Sequence, residues 1–584
     1  MALDQAVIDT ILKATEASEV THVELIQNLW NNYGQLLRIH LSGSNSSSVI
    51  LKHAKVPVQQ NHPRGFGSSL SQQRKIKSYQ VETTWYEKYN SKNHSDNKSL
   101  TAQCLDAFQK EGEFFILLED LKQSGLTETP SNVSFETIKV VLTWLANFHA
   151  KFLNSSSEGL WQVGTYWHLS TRPDELNQLD DQNLKELAPL LDSKLTNCRY
   201  KTLVHGDAKL ANFCFDKSLS RTAAVDFQYV GGGCGMKDVA YFIGSCMDED
   251  SCEKLESQIL DYYFAELSNA LSHSVVDKKE LIDEWRPLYH IAWADFHRFL
   301  KGWSPGHWKI NSYSERVTSK ACLEVLNEIS ESALIAAKEA GKLIMSFYQK
   351  DFQRSSKEGQ SEAASIVTEV DLKSQDLILK NLQNSIKNYD LGVLAEESDN
   401  DKSRLEKAFY WAIDPIDGTL FFSEGKPGFA VSIALISKAG NPYIGVVLDP
   451  VKDELFCAVK NSGSTLNGKD FQVNLNKSDK PTLYADRSLE KQTNYNELSR
   501  KYNIQFSGGA VLNALNAVRN PNSFYIKEPR NHEGGCTVWD IAATVLIVTE
   551  AGGSYLDFNK KKLNLNKKAT IYYNEEGLYV SSSI

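Results

Sequence analysis

The spacing of apolar residues divides the chain into two parts with different architectures. Residues 36–52 alternate around a turn rich in Ser, Gly and Asn, which predicts a strand, a turn and a second strand. A further buried strand is predicted at 114–118. Helical spacing is found in three other stretches, 75–89, 135–153 and much of 252–300. This pattern indicates a small strand-rich lobe followed by a larger helical one.

A different pattern starts near residue 322. Six apolar residues fall on one helical face: Ile329, Ala333, Ala336, Ala340, Ile344 and Phe347. Four strand-like runs follow, at 410–413, 430–436, 443–448 and 455–459. Strands interleaved with helices are typical of a layered α/β or α+β domain. Because no long linker rich in Pro, Gly or Ser separates the two parts, we predict two domains, 1–318 and 322–584, that are packed together.

Length, composition and charge agree with this division. A chain of 584 residues exceeds what one hydrophobic core usually supports. Its 41% hydrophobic and 23% charged residues are an ordinary globular balance. A formal net charge of -10 gives no indication of a nucleic-acid partner. The mild acidic excess fits either clustered metal-binding carboxylates or a solvated surface.

Cysteine usage and hydropathy predict a cytoplasmic protein without a membrane partner. The nine cysteines are scattered singly and form no CxxC pair, which suits a reducing compartment. The N-terminal segment lacks the basic start and apolar core of a signal peptide. No apolar run approaches the roughly 20 residues of a membrane span. Small-molecule substrates are therefore expected, and the sequence leaves open whether the chain forms a homo-oligomer.

The first part contains the residue types that phosphoryl transfer to a hydroxyl requires. Asp207 follows a His-Gly pair in LVHGDAKLANFCF, where an apolar run meets a loop, and its carboxylate could accept a hydroxyl proton. Asn212 offers a neutral oxygen to a metal from the same loop. Asp226 follows the apolar run AAV, so its carboxylate is expected at a strand end that faces this loop. Asp238 either braces the loop or caps a helix, and the structural role is favoured.

The small lobe should supply a lysine for the nucleotide phosphates and a glutamate that holds this lysine. Lys52 ends a strand-like run, and Glu82 lies on the predicted helix in KSYQVETTWYEKY. A single lysine is more often a surface residue, but the whole set in this order favours a kinase.

These motifs resemble the aminoglycoside phosphotransferase and choline kinase superfamily, and within it the ecdysteroid-kinase-like branch. The similarity rests on LVHGDAKLANFCF, AAVDFQYVGGG, MKDVAYF, FILLEDL and LANFHAKF, and covers roughly residues 1–318. It implies a bilobal protein-kinase-like fold, ATP as cosubstrate, Asp207 as the catalytic base, and Asn212 and Asp226 as Mg2+ ligands. One departure is the absence of GxGxxG near Gly34, where only NNYGQ occurs.

The second part contains a carboxylate cluster suited to Mg2+-dependent phosphate hydrolysis. Asp414 and Asp417, in DPIDGT, follow the apolar strand YWAI and are predicted to ligate adjacent Mg2+ ions from a tight turn, with the Ile416 carbonyl between them. Gly418 and Thr419 come next, and their backbone N–H groups suit a phosphate.

Two further acidic positions join this cluster. Glu396, followed by Glu397, comes after the apolar stretch LGVLA. Asp540 precedes a helix-like run at 541–549, where it could be a plain N-cap, but beside DPIDGT a metal-binding role is favoured.

The motifs EES, WAIDPIDGT, WDIAATVLIVTEAGG and VTEVD resemble the inositol monophosphatase superfamily over roughly residues 322–584. This resemblance implies a layered αβαβα fold. It also implies that metal is bound by Glu396, Asp414, the Ile416 carbonyl, Asp417 and Asp540, and that Asp371 and Thr419 activate the attacking water.

Within this superfamily, LAEES and its surroundings are most similar to 3'(2'),5'-bisphosphate nucleotidases of the CysQ type. The segment SGGAVLN lacks the lysine that typically follows the corresponding element there. Lys527 and Arg530 either meet a second phosphate or are solvated charges. The substrate could thus be a bisphosphonucleotide or an inositol or sugar phosphate.

Two interpretations of the whole chain stay open. The favoured one is a bifunctional enzyme with an N-terminal ATP-dependent kinase and a C-terminal Mg2+-dependent phosphatase. In the other, the phosphatase is active and the kinase-like part senses a nucleotide or metabolite. ATP-induced thermal stabilisation without a phosphorylated product would favour the second.

Overall fold

The computed structural model describes residues 3–29, 33–55, 69–92, 98–350, 354–356, 366–476, 480–531 and 536–582. The chain forms two compact units, Met1–Cys322 and Leu323–Ile584. The long helix in which this boundary falls spans Ser312–Phe347 and therefore begins about ten residues before the predicted start of the second pattern.

The first unit begins with a five-stranded antiparallel sheet. Its strands, in the order in which they are hydrogen-bonded, are β1 (Glu19–Asn28), β2 (Gly34–Ser42), β3 (Ser48–Lys55), β6 (Glu113–Glu119) and β5 (Cys104–Lys110). The predicted strand–turn–strand over 36–52 corresponds to β2 and β3, and the strand predicted at 114–118 is β6. Strand β1 was not predicted, because at this sheet edge nearly all of its side chains are exposed and no buried face marks it.

One face of this sheet is covered by helix α1 (Gln5–Thr15). Val7 and Ile11 of α1 pack with Leu37, Ile39 and Val49, which lie at alternate positions of β2 and at the start of β3. Asp4 caps the helix by accepting a hydrogen bond from the Ala6 N–H. Burial of these side chains at about 1.5–3 kcal/mol each holds the helix on the sheet.

The rest of the first unit is mainly helical and carries two small sheets, one of four strands and one of two. The helices are α2 (Ser69–Thr84), continued by a π-helical turn at Trp85–Tyr89, α3 (Phe135–Lys151), α4 (Pro173–Asn177), α5 (Gln182–Thr196), α6 (Met236–Cys246), α7 (Glu249–Ala270), α8 (Lys278–Trp303) and the first part of α9 (Ser312–Phe347), whose remainder belongs to the second unit. The short strands are β4 (Leu100–Thr101), β7 (Leu126–Glu128), β8 (Thr202–Val204), β9 (Phe213–Asp216), β10 (Thr222–Ala224) and β11 (Gly231–Gly233). The helices predicted at 75–89, 135–153 and 252–300 are present.

The second unit contains two larger sheets. The seven-stranded sheet has the order β14 (Gly392–Ala395), β15 (Phe409–Asp417), β16 (Ala430–Ser437), β17 (Pro442–Asp449), β18 (Glu454–Val459), β19 (Ser464–Leu466) and β20 (Lys469–Phe471). The five-stranded sheet has the order β22 (Asn503–Gln505), β21 (Thr482–Tyr484), β23 (Ser523–Lys527), β25 (Leu578–Ser581) and β24 (Ser554–Leu556). A separate hairpin pairs β12 (Arg354–Ser356) with β13 (Ile366–Thr368).

Helices separate and flank these sheets. The helices of the second unit are α10 (Glu369–Tyr389), α11 (Ser403–Glu406), α12 (Thr419–Ser423), α13 (Tyr495–Lys501), α14 (Ala510–Arg519) and α15 (Val538–Glu550). Helix α10 packs on the seven-stranded sheet, α15 also packs on that sheet, α14 packs on the five-stranded one, and α14 and α15 pack on each other. The core of the unit is buried around α14 and α15. This alternation is the layered αβαβα arrangement predicted for the second unit.

Among the described residues, no helix combines the length and the apolar character needed to traverse a lipid bilayer. All nine cysteines are free thiols.

Candidate functional site

Three predicted residues of the first unit meet at one ammonium group. Lys52, on β3, donates to Glu82 Oε1 on α2 at 2.7 Å and to Asp226 Oδ1 at 2.8 Å. Burial by itself would lower the pKa of Lys52, but the two carboxylates outweigh it and raise this pKa above its usual value. Lys52 is therefore a fixed cation at the side of the cavity where the predicted phosphates would lie.

Asp226 is held in an unusual backbone conformation. Its φ is +67°, in the left-handed region that non-glycine residues rarely adopt, and it lies two residues past the end of β10. Oδ1 also accepts a hydrogen bond from Gln228 Nε2 at 2.8 Å. Burial would raise the pKa of Asp226, but Lys52 outweighs it and keeps the carboxylate ionised. Such strained residues cluster at ligand sites, where their surroundings hold them in place.

Asp207 and Asn212 lie in the loop between β8 and β9. Asp207 Oδ2 accepts from Lys209 Nζ at 2.9 Å and from Asn212 Nδ2 at 3.1 Å. Its Oδ1 is buried and has no hydrogen-bond partner among the described residues. Burial raises the pKa of this carboxyl group, and Lys209 opposes that effect. One oxygen is thus fixed by the protein while the other can accept a proton.

Asp238, at the start of α6, braces this loop. Its Oδ2 accepts from the His205 N–H at 2.5 Å and its Oδ1 from the Gly206 N–H at 2.9 Å. His149 Nε2 lies 3.2 Å from Oδ2, and the side chain of Asp238 is fully buried. Charge-assisted hydrogen bonds of this kind are strong, so Asp238 positions the segment that carries Asp207.

A cavity of 1240 Å³ is lined by Lys52, Glu82, Asp207, Asn212 and Asp226. Four lysines in its wall were not singled out from the sequence: the exposed Lys122, and Lys75, Lys209 and Lys309. Lys209 stands two residues after Asp207. Lys75 lies seven residues before Glu82, so Lys75 and Glu82 share one face of α2. These two spacings could have indicated Lys75 and Lys209 from the sequence. Nothing in the local sequence points to Lys309, which lies in the connection between α8 and α9.

Gly34 of the NNYGQ segment is the first residue of β2. Asn31 and Asn32 of the NNYGQ segment lie outside the described residues. Gly34 itself has a φ of +134°, and a Cβ at this position would lie 2.1 Å from the His53 carbonyl oxygen. Glycine is therefore required here by the close approach of β3.

In the second unit, a β-bulge brings two predicted metal ligands to one side of the sheet. Asp414 pairs with Ser432 and Asp417 with Ala430, so three steps along β15 correspond to two along β16. In a regular strand, residues three apart point to opposite faces, whereas one extra residue restores the same face. The sequence predicted a tight turn after a strand, but the structure continues β15 through Asp417.

Asp414, Asp417 and Asp540 each place a carboxylate oxygen within 4.8 Å of the others. Burial, followed by repulsion from Glu396, Asp417 and Asp540, raises the pKa of Asp414 well above its usual value. Burial and the charge of Asp540 raise the pKa of Asp417 to about 8. Converging carboxylates that resist ionisation fit a site for hard divalent cations such as Mg2+, whose charge would offset this repulsion.

Asp417 and Asp540 are also tied to helix starts. Asp417 accepts from the N–H groups of Ala510, at 3.2 Å, and Val511, at 3.0 Å, at the beginning of α14. Asp540 lies in the first turn of α15, where its Oδ2 accepts from the Thr537 N–H at 2.7 Å in a capping box. The N-cap is thus Thr537, and Asp540 both stabilises the helix start and belongs to the carboxylate cluster.

Thr419 connects the cluster to Asp371. Thr419 Oγ1 lies 3.3 Å from Asp371 Oδ1 and 3.0 Å from the Ile416 carbonyl oxygen. The hydroxyl has one proton and can donate to only one of these oxygens at a time. Asp371 is buried in the first turn of α10. The predicted pair is therefore assembled beside the predicted carbonyl ligand.

Gly418 occupies a position that other residues cannot adopt without strain. Its φ is +86°, and a Cβ there would lie 2.5 Å from the Gly428 carbonyl oxygen. We expect Gly418→Ala to destabilise the unit by about 3 kcal/mol, because left-handed strain adds to a backbone clash, and to reduce phosphatase activity by about 100-fold by shifting Thr419.

Gly468→Ala is the matched control for this change, with a φ of +76° and open space around the added Cβ. It should cost about 1 kcal/mol and leave activity intact. Equal losses of activity in both variants, measured with melting curves and phosphate release, would contradict a positional role for Gly418.

Repulsion within the cluster predicts a pH-dependent stability. Because the pKa of Asp414 is raised in the folded state, the folded protein binds more protons than the unfolded one, and metal-free stability falls as pH rises above the unfolded pKa of about 4. Asp414→Asn, which keeps an acceptor for the Ile416 N–H, should remove this loss.

The measurement is denaturant unfolding in EDTA between pH 5 and 8. Between pH 5 and 8, the free energy of unfolding of the variant relative to that of the wild type should rise by more than about 1 kcal/mol. With saturating Mg2+ the order should reverse, since only the wild type retains the full ligand set. A constant difference across pH would refute the repulsion.

The two candidates for contacting a second phosphate have different surroundings. Lys527 Nζ pairs with Asp486 Oδ2 at 3.1 Å and is largely buried. Arg530 donates to Ser488 Oγ at 3.1 Å and lies in a segment next to residues that are not described. The positive charge of Lys527 is thus already balanced by a carboxylate.

Both units match known families. Residues 325–582 match the inositol monophosphatase family, and residues 31–158 and 161–275 match the ecdysteroid kinase-like family. Inositol-1-monophosphatase of Synechocystis sp. is 32% identical over 266 residues, which cover 44% of this chain and 87% of that protein. Nus factor SuhB of Pseudomonas aeruginosa is 35% identical over 239 residues, covering 39% and 84%. Fructose-1,6-bisphosphatase/inositol-1-monophosphatase of Thermotoga maritima is 33% identical over 215 residues, covering 36% and 78%.

Proposed function

Because the chain belongs to the inositol monophosphatase family through its second unit and carries an ecdysteroid kinase-like domain in its first, we propose that it is a bifunctional enzyme. Its second unit hydrolyses phosphate monoesters with Mg2+, and its first transfers phosphate from ATP to a small-molecule hydroxyl within a bilobal kinase-like fold. The division into domains at 318–322 is part of the same proposal.

The kinase proposal is carried by Asp207 Oδ1, which has no hydrogen-bond partner within the described part of the chain and lies in the same wall as the Tyr241 hydroxyl. The acceptor hydroxyl gives its proton to Oδ1, and its oxygen forms a bond to the γ-phosphorus. The bond between that phosphorus and the β–γ bridging oxygen breaks, and ADP leaves. Lys52, held by Glu82, binds the ATP phosphates in this proposal.

Asn212 and Asp226 fit the Mg2+ that accompanies ATP. Both lie on the Asp207 side of the cavity and offer oxygen donors, which Mg2+ prefers. In the structure Asp226 pairs with Lys52. We propose that nucleotide binding redirects Lys52 from Asp226 to phosphate, which leaves the carboxylate available to the metal.

The phosphatase proposal is carried by the carboxylate cluster. The residues that would hold Mg2+ are Glu396, Asp414, Asp417, Asp540 and the Ile416 carbonyl. When bound, Mg2+ supplies positive charge at the attacking and leaving oxygens. Gly418 lets the backbone of the DGT segment approach the phosphate closely.

The chain itself handles the proton of the attacking water. Thr419 Oγ1 accepts this proton as its own hydroxyl proton passes to Asp371 Oδ1, 3.3 Å away. The nearby Ile416 carbonyl keeps the hydroxyl oriented toward the cluster when no substrate is bound.

An inositol or sugar phosphate is the favoured substrate. Relatives named as inositol-1-monophosphatase and fructose-1,6-bisphosphatase support this class. A substrate with two phosphates, whether a bisphosphonucleotide or a sugar bisphosphate, requires a cation for the second one, and Lys527 is already paired with Asp486, so a monophosphate is favoured.

Both activities can be tested on the full chain. Phosphate release would be measured with inositol 1-phosphate, fructose 1,6-bisphosphate and adenosine 3',5'-bisphosphate, with and without Mg2+. Phosphorylation would be followed by mass spectrometry after incubation of a metabolite extract with ATP labelled in its γ-phosphate. We expect Mg2+-dependent release and at least one labelled product. ATP binding without any labelled product would leave only the phosphatase.

A further inference from the structure

The cavity next to Asp207 has an aromatic wall. Six of the aromatic rings in the cavity lining form this wall: Tyr166, Tyr229, Tyr241, Phe296, Phe299 and Trp303. They form a connected set, with the Tyr166 ring 5.8 Å from Tyr229, 5.6 Å from Tyr241 and 5.5 Å from Phe299. Trp303 stacks on Phe299 and is 43% exposed, so the wall reaches solvent. Such a surface suits an apolar ligand body.

A lysine with no polar partner in the described part of the chain lies against the same wall. Lys309 Nζ lies 5.7 Å from the ring centroids of Tyr241 and Phe296 and 5.5 Å from that of Trp308. Within the described residues, no carboxylate or carbonyl oxygen accepts a hydrogen bond from it. Burial lowers the pKa of Lys309 to about 8, with a further contribution from the charge of Lys209.

The other enclosed cations of the cavity wall are all satisfied. Their partners are Asp120 for Arg38, Glu82 for Lys52, the Thr171 carbonyl for Arg74, Gln228 for Lys75, Glu175 for Arg172, and Asp207 for Lys209. Lys309 is half-buried and lines the cavity, so its ammonium group is accessible to a ligand there, and ring faces supply only part of what a charged acceptor would. A bound anion would supply the rest.

Tyr241 links Lys309 to the proposed catalytic base. The ring of Tyr241 faces Lys309, while burial and the nearby Asp207 carboxylate raise the pKa of its hydroxyl. Lys309 and Asp207 are therefore separated by about one tyrosine side chain along the same wall. A ligand that reaches both needs an anionic group and a hydroxyl at opposite ends of a short apolar body.

We propose that the acceptor of the kinase reaction is a hydroxylated monoanionic acid, whose carboxylate or sulfate binds Lys309 while its apolar body packs on the aromatic wall and its hydroxyl meets Asp207 Oδ1. This inference rests on the proposed phosphotransferase function. A monoanion is favoured because a single lysine supplies one compensating charge. The proton, the phosphoryl group and ADP move as described for that reaction.

The test uses the full chain, labelled ATP and Mg2+, with 4-(hydroxymethyl)benzoate, 6-(hydroxymethyl)-2-naphthoate and the neutral methyl esters of both. For each acceptor that becomes phosphorylated in the metabolite extract, the unphosphorylated compound is also run on an anion exchanger, and its retention shows whether it is an anion. We expect lower KM values for the acids than for the esters, and anionic parents among the extract acceptors.

The variants separate Lys309 from general effects. Lys309→Gln should raise KM for an anionic acceptor by about 10- to 100-fold with little change in kcat, as expected for loss of one charge-assisted contact. KM for the neutral ester should stay unchanged, and Lys309→Arg should recover most of the affinity. Lys279→Gln, an exposed lysine on α8, is the control and should behave as the wild type.

The outcomes distinguish the two claims. If no acceptor is phosphorylated in an Asp207-dependent manner, the phosphotransferase function fails and this inference fails with it. If neutral acceptors alone are phosphorylated, or if Lys309→Gln leaves KM for acids unchanged, the anion site is overturned while the kinase stands.

Discussion

Replacing Asp417 with asparagine is expected to reduce hydrolysis of the preferred phosphate monoester by about 1000-fold or more at saturating Mg2+. Asp417 contributes one of three carboxylates that converge within 4.8 Å. Removal of one charge weakens metal binding and leaves the metal with an incomplete set of ligands. A loss of about 4 kcal/mol of transition-state stabilisation corresponds to three powers of ten in rate.

The geometry makes this a clean substitution. Asp417 is 7% exposed, and asparagine has the same shape. The amide oxygen can still accept one of the two N–H groups that begin α14. Folding is therefore expected to survive, which circular dichroism and the melting temperature in EDTA would establish.

Initial rates of phosphate release over a range of Mg2+ concentrations provide the measurement. Asp453→Asn, an isosteric change at an exposed turn of the same unit, should match the wild type. Phosphorylation by the first unit should also persist in Asp417→Asn. Undiminished hydrolysis in excess Mg2+ would remove Asp417 from the metal site.

Asp207→Asn should abolish ATP-dependent phosphorylation, with a fall in kcat of about 1000-fold or more. The Oδ1 atom, which has no partner among the described residues, becomes an amide nitrogen or an amide oxygen that cannot take a proton. General-base catalysis contributes about 10²- to 10⁴-fold, and misplacement of the acceptor adds to that loss.

Nucleotide binding should be retained in this variant. Lys52, Glu82 and Asp226 are unchanged, and the second oxygen position of residue 207 can still accept from Lys209 or Asn212. ATP with Mg2+ should therefore raise the melting temperature of the variant about as much as that of the wild type. A fall in kcat with intact ATP binding separates a chemical role from a structural one.

Labelled product formation with the acceptor found in the extract is the readout. Asp250→Asn, an exposed first-turn residue of α7, serves as the control. Phosphatase activity should be normal in both variants. If Asp207→Asn phosphorylates the acceptor at the wild-type rate, the kinase mechanism is wrong.

Local patterns were sufficient for most of the elements near both sites. The β-branched and apolar run at 48–52 indicated β3 because a strand buried on both faces leaves such a run in the sequence. Helix α15 was indicated by the apolar stretch after Asp540. Strand β1 was missed because its exposed side chains carry no burial signal.

The sequence also indicated which side chains take part in the chemistry, but their contacts come from the tertiary structure. Lys52 and Glu82 are 30 residues apart, and Lys52 and Asp226 are 174 apart, yet all three meet at one ammonium. Residue type and order suggested these partners. The distances follow from how β3, α2 and the segment after β10 pack, which no short window of sequence encodes.

The sequence by itself determined the two-family composition of the chain, the order of most helices and strands, and which carboxylates could serve phosphate chemistry, since these depend on local periodicity and motif. Only the tertiary structure decided that a bulge in β15 turns Asp414 and Asp417 to one side, that Asp207 Oδ1 has no partner within the described residues, and that Lys309 lies among aromatic rings of the same cavity. These features depend on strand register, burial and contacts between residues that are far apart along the chain, and no local sequence pattern encodes such contacts.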